Sequence, residues 1–464
     1  GGWLDFEPVA ANTLDTVTVP RGFQWSTVVS WGDPLWSKGV AFDHSTRGTG
    51  ASQELAFGDN NDGMALFDIG GKPVLAVNNE YVNLPIVHGN RTSRKPETAD
   101  DVRKSKAAHG VSILEIRKSG ESWNVVQDSP VNRRITGDTP IEITGPARGH
   151  DLLKTAADGS GVLALGTFNN CGNGRTPWDT YLTCEENFDG YFASSDPDLK
   201  IPPALKRYGL GTKGRGYGWE KYDERFDLAR HPNEPNRFGY IVEIDPANPA
   251  SMPKKRTALG RFKHENAELV IAGSGQAVVY MGDDERGEYL YKFVSAGKYV
   301  PGGDNGALLD DGALFAAKFG DDGRGEWLAL TPASTGLKSQ ADICVHTRLA
   351  ASAVKATTMD RPEWVAAHPT RAEVCVALTN NKNRGLKPNA GKDPTPVGGP
   401  NPRKDNKYGQ IVSWRPDNGD HAATGFSWSL FVMAGNPTVH KDADAGSNNV
   451  TADKAGTVKE VRVA

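Results

Sequence analysis

Amide, carboxylate and thiol side chains follow short apolar segments at four places in this chain, and together they could build a metal centre. Residues 74–77 run into Asn78-Asn79-Glu80, 162–165 into Asn169-Asn170-Cys171, 278–281 into Asp283-Asp284-Glu285, and 374–378 into Asn380-Asn381. If the segments are strands in equivalent places of a repeated unit, their ends collect at one end of a shared axis. Oxygen ligands gathered there suit hard cations.

The densest stretch runs from Asn169 to Trp178 and on through Cys184-Glu185-Glu186-Asn187. A thiolate beside several oxygen ligands suits a transition metal such as iron or zinc, whereas carboxylates and amides alone suit calcium. The cysteine spacing is not that of a Cys-x-x-Cys zinc module. The alternative is a disulfide between Cys171 and Cys184 across a hairpin, with Glu185 and Glu186 merely solvated. Further hard ligands lie in His264-Glu265, in Asp283-Asp284-Glu285 and in Arg361-Pro362-Glu363-Trp364. Each is weak evidence alone, and together they make a multi-metal site the expectation. Asp59-Asn60-Asn61-Asp62-Gly63 has the composition of a calcium loop but lacks the terminal glutamate of an EF-hand. There is no Gly-x-Ser-x-Gly elbow and no phosphate-binding loop ending in Lys-Ser/Thr, so a metal-activated oxygen is the natural nucleophile. Asn90-Arg91-Thr92 and Asn449-Val450-Thr451 match the glycosylation pattern, which recurs by chance.

The elements that must position these groups read as strands. Alternating segments at 64–68, 74–77, 111–116, 123–126, 162–165, 240–244, 268–272, 278–281 and 289–294 are separated by Gly/Asp-rich turns, so hairpins are the expected unit. With 53 Gly and 29 Pro among 464 residues, many turns joining short elements are required. One short helix is expected over 349–358. Residues 383–407 read as a long surface excursion, strands resume at 410–414, and 448–464 reads as a fraying tail or a single edge strand. No linker divides the chain, so 1–464 is expected to be one large all-β domain. The clusters are spaced unevenly and further apart than one propeller blade, which excludes a regular WD40-like array.

A formal charge of −4 gives no global attraction to nucleic acid or to an anionic membrane surface. No apolar run reaches membrane-spanning length, and the sequence begins Gly1-Gly2-Trp3 without a signal-like segment. Four cysteines are too few for a disulfide scaffold; Cys344 and Cys375 read as buried strand residues.

Taken in order, Val19-Pro20-Arg21-Gly22-Phe23, Ser30-Trp31-Gly32-Asp33-Pro34-Leu35, Val77-Asn78-Asn79-Glu80, the Asn-Cys-Gly and Thr-Pro-Trp run, Cys184-Glu185-Glu186, His264-Glu265 and Arg361-Pro362-Glu363-Trp364 resemble the PhoX family of calcium-activated alkaline phosphatases. The resemblance covers most of the chain. It implies a β-propeller with long inter-blade insertions, exported in folded form by the twin-arginine route and hence periplasmic or secreted. It also implies a site of ferric ions, calcium ions and a bridging oxo group that hydrolyses small phosphate monoesters. Mapped here, Cys171, Glu265 and Glu363 become iron ligands; Asn79, Glu80, Glu185, Glu186 and Asp284 become further metal ligands; Arg361 grips the phosphate. A monomer without nucleic-acid or membrane partners is expected. Family members continue with further strands past the region of Gly435-Asn436-Pro437, so 448–464 is atypical. Two rival readings fit the same residues: a calcium-only propeller hydrolase acting on phosphodiesters or lactones, and a non-catalytic calcium-stabilised binding propeller.

Overall fold

Three consecutive portions of the chain each fold into their own sheet, because nearly every strand pairs with a neighbour reached by a short turn. In the computed structural model the described residues are 5–10 and 12–435, with the backbone of two short C-terminal strands. The first sheet holds β1 (Asn61–Ile69), β2 (Lys72–Asn79), β3 (Gly110–Ser119), β4 (Ser122–Val125) and β5 (Arg133–Ile135). Its order is β1-β2-β3-β4, with β5 pairing β3.

The second sheet holds β6 (Pro140–Thr144), β7 (Leu163–Leu165), β8 (Asn170–Arg175), β9 (Tyr181–Glu185), β10 (Ile241–Ile244) and β11 (Lys254–Arg256), ordered β7-β6-β11-β10-β9-β8. Only the β6–β11 pair is parallel. Phe67, Val74 and Ile113 of the first sheet pack on Ile141, Tyr181 and Val242 of the second, with all six side chains buried.

The third sheet holds β12 (Glu268–Ile271), β13 (Gln276–Gly282), β14 (Leu290–Lys298), β15 (Gly312–Phe319), β16 (Arg324–Ala329), β17 (Pro362–Ala367), β18 (Val374–Leu378), β19 (Gln410–Pro416) and β20 (Gly425–Met433). Its order, β12-β13-β14-β15-β16-β20-β19-β18-β17, curls into a nearly closed, barrel-like sheet. Side chains bridge the remaining gap. Asn266 Nδ2 donates to Val365 O at 2.9 Å and Val365 N to Asn266 Oδ1 at 2.8 Å, while Ala367 N donates to Glu268 Oε2 at 3.0 Å. The interior is filled from strands all round it, by Val278, Tyr280, Trp327, Val376, Trp414 and Phe426.

The all-β expectation holds in its coarse form, with mostly strands and few helices. The strand pairing gives sheets of five, six and nine strands rather than a set of equal blades. The short helix is Thr347–Ala353, directly preceded by another, Gln340–Val345. Cys344 therefore sits on a helix, fully buried, and not on a strand. A helix at Ala99–Ala107 went unread; its signal was Thr98, whose side chain accepts from Asp101 N. Near the C-terminus Val450–Ala452 pairs with Val458–Val461, and the rest of 448–464 lies outside the described residues. Among the described residues no helix is long and apolar enough to cross a membrane.

Candidate metal centre

Strand ends from all three sheets converge on a run of acidic side chains centred on Cys171. Asp62 lies on β1, Glu80 follows β2, Cys171 is on β8 and Glu186 follows β9. Glu265 precedes β12, Asp284 follows β13 and Glu363 lies on β17. Their ligand atoms form three groups: Asp62, Glu80 and Cys171; Cys171, Glu186 and Glu265; and Glu265, Asp284 and Glu363. Within each group the atoms lie within 4.8 Å of one another. Cys171 and Glu265 are each shared between two groups, so the three form one continuous array.

Backbone ties fix this convergence before any ligand arrives. Glu80 N donates to Asn60 O at 2.9 Å, Glu186 N to Asn169 O at 2.9 Å, Glu265 N to Gly282 O at 3.2 Å and Asp284 N to Lys263 O at 3.0 Å. Asn78 is the strongest cross-brace. Its fully buried amide donates to Cys171 O and Gly172 O, both at 2.8 Å, and accepts from Tyr181 Oη and Thr183 Oγ1, both at 2.8 Å. All four of its hydrogen-bonding capacities are thereby used. Position 172 must be glycine because a Cβ there would stand 2.0 Å from Glu265 O. That close approach brings the thiol-bearing strand against the Glu265 segment. Beneath, Phe168 stacks on Phe238 at 4.3 Å and Tyr191 on Tyr217 at 4.1 Å, a packed aromatic floor.

Arg361 has a left-handed backbone, φ 50°. The conformation is held by its predecessor: fully buried Asp360 accepts from Asn381 Nδ2 at 2.9 Å, Arg384 Nε at 2.7 Å, Asn406 Nδ2 at 2.9 Å and Gln410 Nε2 at 3.1 Å. The 383–407 excursion is thus anchored by a buried carboxylate. The Arg361 guanidinium donates to Asp284 Oδ1 at 3.0 Å and Oδ2 at 3.2 Å, and to Asn380 Oδ1 at 3.3 Å. Burial opposes its charge, but neighbouring Asp284 and Glu363 outweigh that and raise its pKa.

Burial pushes the carboxyl of Glu80 up to about 8, and the Asp62 carboxyl beside it adds to the effect. Burial likewise raises Glu186 and Glu265, helped by Glu265 and Asp284 respectively. Glu363 is raised by burial and then by Asp284. The Cys171 thiol is raised by burial and by Glu265. Glu265 Oε2 is buried without a hydrogen-bond partner. A largely buried array of acids with an orphaned carboxylate oxygen needs either protons or cations to balance it, so these residues fit a group of metal ions. A thiol among carboxylates suits a transition ion at Cys171, and the all-oxygen group at Glu265, Asp284 and Glu363 suits a hard one.

Of the residues singled out in the sequence, the structure brings together Cys171, Glu265, Glu363, Glu186, Glu80, Asp284 and Arg361. Two others lie outside the array. Glu185 is fully buried and ion-paired with Lys255 at 2.9 Å; it also accepts from Thr167 Oγ1 at 2.7 Å and from the amides of Gly239 and Tyr240. Both its oxygens are thus committed to protein partners. Asn79 Oδ1 accepts from Ser112 Oγ at 2.6 Å and Arg134 at 3.1 Å, so it braces β2 against β3. Asp62 enters the array unforeseen; its only sequence signal was the calcium-like composition of 59–63. The cysteines are free, so the Cys171–Cys184 disulfide does not form, and Cys184 is buried in the hydrophobic core.

The profile of the family described as Alkaline phosphatase PhoX matches residues 4–458. A solved structure described as Pseudomonas fluorescens PhoX in complex with vanadate, a transition state analogue, superposes with a TM-score of 0.90 at 48% identity, covering 97% of this chain and 82% of that one. No curated protein matches. With the match running over nearly the whole chain and the acidic array in place, this protein belongs to the PhoX family and is a metal-dependent alkaline phosphatase.

Proposed function

We propose that the chain hydrolyses small phosphate monoesters to an alcohol and inorganic phosphate, using ferric and calcium ions held by the array. The observation that carries this reading is the sharing of Cys171 and Glu265 between adjacent ligand groups, which suits several ions held side by side. Cys171, Glu265 and Glu363 would hold iron: the Cys171 thiolate beside Glu265 favours a transition ion, and Glu363, grouped with Glu265 and Asp284, is carried over from the family resemblance. Asp62, Glu80, Glu186 and Asp284 would complete the oxygen coordination of calcium. Such ions would supply Lewis-acid polarisation of the phosphoryl oxygens and lower the pKa of water.

The chain's own contribution is placement and charge. Arg361 presents a planar pair of N–H donors, the geometry that fits two equatorial phosphoryl oxygens. Asp284, Glu363 and Asn380 hold that guanidinium at the edge of the array until substrate takes over its donors. Cys171, Glu186, Glu265 and Asp284 are buried, which would strengthen the charge interactions made at that end of the array. The vanadate complex of the Pseudomonas protein supports in-line displacement at phosphorus for this chain as well.

The reading extends to architecture and location. The β12–β15 and β17–β20 meanders each have the four antiparallel strands of a propeller blade, which supports an irregular propeller over 1–464. Export to the periplasm or beyond the cell, and a monomeric state, are carried over from the family resemblance.

Elemental analysis of protein purified without added metal, with a visible spectrum and an aryl-phosphate assay, tests the reading. Iron together with calcium, visible absorption that vanishes in Cys171→Ala, and phosphate release are expected. An active, colourless, calcium-only protein refutes the iron assignment, and absence of phosphate release refutes the whole.

A further inference from the structure

Beside the array lies a cavity of about 410 Å³, lined by Asp189, Gly190, the 209–215 loop, Lys263 and Glu285. It adjoins the metal centre in space as well as along the chain, since the Glu285 carboxylate in its wall is close enough to act on the Arg361 guanidinium that pairs with Asp284. Glu285 follows Asp284, Lys263 lies two residues before Glu265, and Asp284 N is bonded to Lys263 O. The volume falls within the range of small-molecule sites.

Its charges are arranged rather than scattered. Lys263 is 1% exposed, and its ammonium lies 3.2 Å from Asp189 and 3.3 Å from Glu285. Arg215 reaches Asp189 Oδ2 through one terminal nitrogen at 3.0 Å, leaving its other N–H groups available. The Arg215 stem lies across Gly190, where a Cβ would stand 2.8 Å from Arg215 Cδ, so a larger residue at 190 would push the arginine from this position. Lys213 lines the cavity, exposed and without a protein partner. Three cations therefore face two carboxylates, and both carboxylates are already engaged by Lys263. One positive charge is left in excess, carried by the unpaired Lys213, while Arg215, paired with Asp189 through one nitrogen, still has free N–H donors.

We propose that this cavity receives the leaving group, and that Lys213 and Arg215 favour phosphate monoesters whose alcohol carries a second phosphate. The inference rests on the monoesterase reading of the adjacent array. One phosphate binds at the array and Arg361, while the other is met by the ammonium and guanidinium at the cavity mouth. A guanidinium with free N–H groups and an unpaired ammonium are the side chains that recognise phosphate oxygens.

The test compares 1,3-propanediol bisphosphate with 3-hydroxypropyl phosphate, the same skeleton with and without the second anion. For the unaltered protein kcat/KM should favour the bisphosphate by at least about tenfold, the value of one charge-assisted contact and more than the statistical factor of two. Lys213→Glu, which breaks no protein contact, should abolish the preference while leaving hydrolysis of the monophosphate within about twofold. Arg215→Ala should reduce the preference similarly, and unchanged thermal unfolding of Lys213→Glu guards against misfolding. The preference should also fall with salt. Equal use of both substrates, or a preference untouched by Lys213→Glu, overturns the inference while the monoesterase reading stands. No release from either substrate overturns both.

Discussion

Removing the cations should make stability depend on pH in a direction opposite to that of most carboxylates. Glu80, pushed up to about 8 from 4.5, keeps its proton in the folded apo protein at pH values where the unfolded chain has lost it. The native state then binds more protons than the unfolded state. Its contribution is complete below 4.5 and is lost as pH rises toward 8. At ~1.4 kcal/mol per pH unit, Glu80 alone costs the apo protein on the order of 3–5 kcal/mol by pH 8, the lower value allowing for its partial exposure. Glu186, Glu265 and Glu363 act in the same sense. Other buried groups oppose it. His88, His109 and His264 are depressed to about 4, 3 and 3 by burial, so they stabilise the fold as pH rises toward 6.5; Lys292, depressed by burial to about 7, does so above 7. These groups titrate in metal-loaded and metal-stripped protein alike, so the loaded-minus-stripped difference isolates the array. Urea unfolding midpoints of both forms at about pH 5 and about pH 8 should show that difference widening with pH, because metal replaces the protons. A difference that is constant or shrinks would refute the electrostatic account. Glu80→Gln, which cannot ionise, should narrow the widening.

Arg361→Lys keeps the charge but loses the planar pair of donors; kcat/KM for an aryl phosphate should fall by about tenfold or more, measured under metal-replete conditions, with metal content unchanged. Lys255→Met should destabilise the protein by about 3–5 kcal/mol, because the buried Glu185 carboxylate loses its partner. Unfolding midpoints check this, and a change below about 1 kcal/mol would mean that Glu185 is not held as an ion pair. Asn78→Ala should lower iron content more than it lowers stability, since it frees the backbone at Cys171 and Gly172; elemental analysis against the unfolding midpoint separates the two.

The nine segments read from the sequence all fall on strands, because short apolar runs bounded by Gly/Asp-rich turns mark strands even where burial does not alternate, as in β10 and β13, which are buried nearly throughout. Several strands escaped that reading, β15, β16, β17 and β20 among them, and two that escaped, β8 and β9, bear directly on the site. Asn170–Arg175 is built of Asn, Cys, Gly and Arg, with no alternation to detect, and both strands are buried nearly throughout. Cys344 was misplaced for the converse reason, since a short apolar run suits a buried helix as well as a strand.

The chemistry of the centre was written in residue types: a cysteine among amides and acids, and glutamates and aspartates after apolar strands. What sequence could not decide was which member of each pair faces the array. Adjacent residues at a strand end point to opposite sides, so Glu186 joins the cluster while Glu185 turns to Lys255, and Glu80 joins while Asn79 turns to Ser112 and Arg134. Asp62 reaches Glu80 because β1 pairs antiparallel with β2, and both reach Cys171 because the first two sheets pack face to face. Those partners are far apart in sequence, and only the packing of sheet against sheet brings their charges within a few ångströms.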